Sequence, residues 1–97
     1  MTHRERVLTT LRHQEPGHLP LDLGGTESSG MTAAAYHRLR AYLGLPPRAR
    51  VVEPFQHVVQ VDEDLKAHFE IATEMLIPGP RRWRSAHLPD GAPCELP

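Results

Sequence analysis

Asp22 stands alone among apolar neighbours in the run His18-Leu19-Pro20-Leu21-Asp22-Leu23-Gly24-Gly25. A carboxylate in that place could accept hydrogen bonds from a substrate or take part in proton transfer. Aspartate is equally the residue type that sits exposed at a strand edge or caps a following turn. The residues alone leave both roles open. Gly24-Gly25 could let backbone approach a phosphate, but neither a G-x-G-x-x-G nor a P-loop pattern accompanies it. A turn accounts for the pair. Ser28, Ser29 and Thr32 have no His or Asp partner at an informative spacing, so they are read as helix-capping hydroxyls rather than nucleophiles.

The other chemistry-bearing residues are assigned structural roles. Seven histidines invite a metal reading, but His57 and His68 fall at no metal-ligand spacing. Asp62, Glu63 and Asp64 suggest paired carboxylates, yet at a helix start they are explained by capping and the macrodipole. Arg81, Arg82, Trp83 and Arg84 form one basic-aromatic cluster of the kind that binds single-stranded nucleic acid. Against that, 11 basic and 12 acidic side chains leave a formal net charge of -1, which excludes a dedicated nucleic-acid binder. The cluster is read as a solvated hairpin strand with Trp83 packed on the body. Cys94 is the single cysteine. It has no nearby basic group to activate it, excludes an internal disulfide and suits a reducing cytoplasm.

Several elements must position these groups. Thr2 and Glu5 have the spacing of a capping box, and Val7, Leu8 and Leu11 give the helix that follows an apolar face. Pro16 and Gly17 end that segment. Leu19, Leu21 and Leu23 alternate with Pro20 and Asp22, which predicts a short strand closed by Gly24-Gly25. Thr32 opens a second helix, with Met31 and Tyr36 at staple spacing and Gly44 past its end. Val51-Val52 predicts a brief strand. Asp62 and Glu63 start a third helix, and Thr73–Ile77 reads as a strand before Pro78. Pro89-Asp90-Gly91 predicts a turn joining two strands. No apolar run approaches the roughly 20 residues that span a bilayer. The first residues contain no apolar core of a secretory signal.

The run from Met1 to Gly25 resembles the amino-terminal region of the uroporphyrinogen decarboxylase-like superfamily, and most closely its corrinoid-dependent methyltransferase branch. The stretches TAAAYHRLRAYLGL and VVEPFQHVVQVDEDLKAHFEI continue that resemblance, as does the Leu-Pro-Asp-Gly turn before the final strand. It extends over nearly all of residues 1–97. It implies an α/β fold, the N-terminal portion of a TIM-type (β/α)8 barrel. Such a barrel needs roughly 250 residues, so the chain is expected to be a fragment or split subunit that is inactive alone.

In that frame Leu19, Leu21 and Leu23 would face the surrounding helices. Asp22 would face the interior, near the carboxyl end of its strand. The resemblance thus implies substrate-binding roles for Asp22, Gly24, Gly25 and, among glutamines shared by relatives, Gln56. No catalytic or metal-ligating residue is assigned within the chain. The arginine motif by which true decarboxylases grip porphyrinogen carboxylates is replaced by Gly24-Gly25-Thr26, so methyl transfer between a corrinoid protein and a thiol-type acceptor is the first expectation. Uroporphyrinogen decarboxylation and a small non-catalytic binding or assembly subunit are the alternatives. Zinc and a corrinoid are implied only for the complete enzyme. The expected partners are the remainder of the barrel, a second copy or a corrinoid protein, with neither nucleic acid nor membrane.

Overall fold

A computed structural model describes residues 1–76, 79–80 and 82–97. Three helices, α1 (His3–Leu11), α2 (Ala33–Tyr42) and α3 (Glu63–Phe69), accompany four strands: β1 (Arg50–Glu53), β2 (Val58–Gln60), β3 (Arg84–His87) and β4 (Pro93–Leu96). The strands form one mixed sheet in the order β2-β1-β4-β3. Two antiparallel hairpins, β1–β2 and β3–β4, meet through a parallel contact of Arg50 with Glu95.

This overturns the expected opening of a (β/α)8 barrel, whose strands run parallel throughout. The segment Leu19–Leu23 contributes no strand. Its ladder is a single parallel bridge, Leu21 to Ile71, closed by the Ala72 N–H donating to the Leu21 carbonyl at 2.8 Å. The reason is local. Pro20 has no N–H to give a ladder, and Gly24 turns the backbone into the left-handed region at φ 78°. Leu19 and Leu21 are also not covered by helices, being 78% and 49% exposed. The strand predicted over Thr73–Ile77 does not form at 73–76, and Ile77 lies outside the described residues.

Local signals predicted the helices better. Thr2 caps α1 through the full reciprocal box: the Glu5 N–H donates to its hydroxyl at 3.1 Å, and its own N–H donates to the Glu5 carboxylate at 2.7 Å. The helix stops at Leu11, well before Pro16. Thr32 and Asp62 stand at the N-cap positions of α2 and α3, but neither side chain bonds the helix end.

Ala33 and Tyr36 of α2, Val51 of β1, Val59 of β2, Leu65 of α3 and Cys94 of β4 belong to one buried cluster. Helix α1 stands apart from it. None of its residues is buried, and Leu11 is 70% exposed. An isolated helix of this length is marginal in water. The radius of gyration is 14.9 Å, against roughly 13 Å for a compact 100-residue domain.

The principal polar feature of the interior is Arg40, only 1% exposed. Its two terminal nitrogens donate to both Asp64 oxygens at 2.8 and 2.9 Å, and its Nε donates to the Pro46 carbonyl at 2.7 Å. Tyr36, one turn earlier, donates its hydroxyl to Asp62 Oδ2 at 2.5 Å and accepts the Asp62 N–H at 2.9 Å. Burial, followed by that bond to Asp62, pushes the phenol up to about 12. Charge-assisted, two-pronged bonds of this kind fix orientation as well as energy. The acidic triplet at the start of α3 therefore does more than complement a helix dipole. Asp62 and Asp64 clamp α3 onto α2.

Candidate functional site

Asp22 lies where the Leu21–Ile71 bridge ends and the chain turns. Its Oδ1 accepts the Gly25 N–H at 3.0 Å and a short hydrogen bond from the Thr73 hydroxyl. Those bonds, Thr73's foremost, hold its carboxyl below the ordinary carboxylate value. Asp22 is therefore ionised at neutral pH, exposed, and fixed by residues on both sides of the bridge. Bonding to the charged form is the cause of the shift, since burial alone would raise it.

The two glycines have separate reasons. A Cβ at position 24 would come within 2.6 Å of Val61 Cγ2, and the backbone there is left-handed. A Cβ at position 25 would come within 2.5 Å of Asp22 Oδ1 and 2.8 Å of Thr73 Oγ1. Gly25 thus leaves room for the Asp22–Thr73 bond while its own N–H joins it. A second turn contact follows, the Gly24 N–H donating to the Ser29 carbonyl at 2.9 Å.

Thr73 also borders a cavity of about 370 Å³ lined by His3, Glu63, Lys66, Ala72 and Glu74. Lys66 Nζ sits between Glu74 at 3.0 Å and Glu63 at 3.2 Å. Burial acts to lower its pKa, but the bonds to Glu74 and Glu63 outweigh this and hold the ammonium above its usual value. Asp22 itself does not line this cavity. The arrangement offers a fixed anionic acceptor beside a polar, charged hollow. It suits hydrogen bonding to a substrate N–H or O–H, or to a cation.

The sequence-predicted residues divide into two places. Asp22, Gly24 and Gly25 come together, with Thr73 as a partner the sequence did not single out. Gln56 is elsewhere. It is exposed on the β1–β2 turn, where its N–H donates to the Glu53 carboxylate at 2.6 Å. Its side chain lines a separate cavity of about 350 Å³ with Thr32, Arg38, His57 and Asp90, none of which bonds Asp22.

The remaining candidates are engaged structurally. Cys94 is buried in the core, and that burial pushes its thiol up. Trp83 lies against the Arg50 guanidinium at 5.2 Å, and Arg50 Nε bonds Glu95 at 2.6 Å. Arg81 of the basic cluster lies outside the described residues. Among the described residues no three His, Cys, Asp or Glu side chains converge as a metal-ligand set, and no helix is long and apolar enough to cross a membrane.

Comparison of the chain with protein-family models, with curated proteins and with solved structures gives no match.

Proposed function

We propose that the chain is a catalytically incomplete portion, or split subunit, of a uroporphyrinogen decarboxylase-like methyltransferase, and that it supplies one wall of a substrate pocket. The Asp22 cluster is the observation that supports the pocket role; the family and the methyl transfer rest on the sequence resemblance. An ionised carboxylate is held in one geometry by Gly25 and Thr73, yet it remains exposed. The added bond from Thr73, far along the chain, holds the exposed carboxylate in place as an acceptor.

The methyl donor in this proposal is a corrinoid protein and the acceptor a thiol, as the sequence resemblance implies. The described residues do not fit a zinc site: Cys94 is enclosed in the core and no ligand set converges. The resemblance implies zinc and a corrinoid only for the complete enzyme, and no step is assigned to them here. The lone reduced cysteine suits a cytoplasmic setting.

An assembly role without chemistry is the second reading, favoured by one observation. Helix α1 has no fully buried residue, and Leu11, Leu19, Leu21 and Leu76 are all exposed. Exposed apolar side chains mark an interaction face where they form one patch.

Co-expression of the chain with a polypeptide that supplies the remainder of the proposed enzyme, followed by assay of methyl transfer from methylcobalamin to a thiol, tests the proposal. Activity should require both polypeptides and should fall with Asp22→Asn. Activity that is independent of this chain would leave only the assembly role. Turnover by this chain alone would overturn both.

A further inference from the structure

We draw no further inference here: the strongest candidate, the cavity between the start of α2, the β1–β2 turn and the β3–β4 turn, where Arg38, Gln56 and His57 meet, offers a ligand only a helix N-terminus and exposed side chains, and nothing in the structure points to what it would hold.

Discussion

Thr73 donates its hydroxyl to the same Asp22 oxygen that accepts the Gly25 backbone N–H. Two segments far apart in sequence therefore meet on one atom, next to the single parallel bridge between Leu21 and Ile71. The carboxylate fixes the turn and in return is fixed by it. The proposed pocket role depends on that mutual constraint.

Gly25→Ala should disturb the constraint directly, because the new methyl would lie 2.5 Å from Asp22 Oδ1 and 2.9 Å from Thr73 Cβ. Overpacking of this kind costs about 1–3 kcal/mol. Urea denaturation should show a lower midpoint for Gly25→Ala and almost no change for Gly79→Ala, where a methyl meets nothing. Equal midpoints for the two variants would mean that the turn adapts freely.

Thr73→Val removes the hydroxyl and nearly keeps the shape. The Asp22 carboxyl should then titrate closer to its ordinary value, since the Thr73 bond is the largest cause of its depression. Carbon-13 NMR of the Asp22 carboxyl reads this directly. An unchanged titration would show that Thr73 does not hold Asp22.

Arg40 and Asp64 make the second testable pair. Arg40→Ala removes a buried guanidinium with three charged or carbonyl partners, and breaking a buried pair in this way costs about 3 kcal/mol or more. Asp64→Asn should cost less, because Asp64 is 42% exposed and Arg40 keeps Asp62 at 3.5 Å. A thermal unfolding series with Asp64→Asn more damaging than Arg40→Ala would contradict the clamp.

The same pair sets a pH dependence. Arg40 holds the Asp64 carboxyl below its ordinary value of 3.8. The unfolded chain therefore takes up the proton first as pH falls. The stabilisation is fully present above the ordinary carboxylate range and is lost as pH drops through the lowered folded value. Asp22 acts in the same direction. Stability measured in urea from pH 6 downward should fall, and Asp64→Asn should flatten that fall. A wild-type curve that is level to pH 3 would contradict it.

Self-association tests the assembly reading. With Leu11, Leu19 and Leu21 exposed, the isolated chain should sediment as more than a monomer at high concentration, and Leu21→Lys should shift it toward monomer. A wild-type chain that stays monomeric would argue for a self-sufficient domain.

Legibility in the sequence followed the range of the forces. The Thr2–Glu5 box, the three helices and the Pro89-Asp90-Gly91 hairpin turn depend on neighbours a few residues apart, and each was readable. The alternation Leu19–Leu23 was misleading. Period two names a strand only if another strand supplies the ladder, and here Pro20 and Gly24 leave one bridge. Strand β2 was missed because Val58–Gln60 is short and follows a turn without glycine, His57 itself taking φ 56°. Arg40 was missed because a buried arginine reads as a surface one until its carboxylates are known. The spacing of Tyr36 and Arg40 on one helix face, with the acidic triplet downstream, was the available signal. Of the candidate site, the closeness of Asp22 to its two glycines was legible in the sequence, while their substrate-binding role came from the resemblance. Thr73 was not legible, since nothing local ties position 73 to position 22. Gln56 was tied to them by resemblance alone, and the structure places it in a different cavity.

The most direct measurement is Asp22→Asn in the assembly that the proposal requires, this chain together with a polypeptide that completes the proposed enzyme. The substitution keeps the shape and the acceptor facing Gly25 while removing the charge. Folding stability should change by about 1 kcal/mol or less, while kcat/KM should fall at least tenfold. An unchanged kcat/KM, with the Asp22 variant folded and assembled, would contradict the assignment of Asp22 to a substrate pocket.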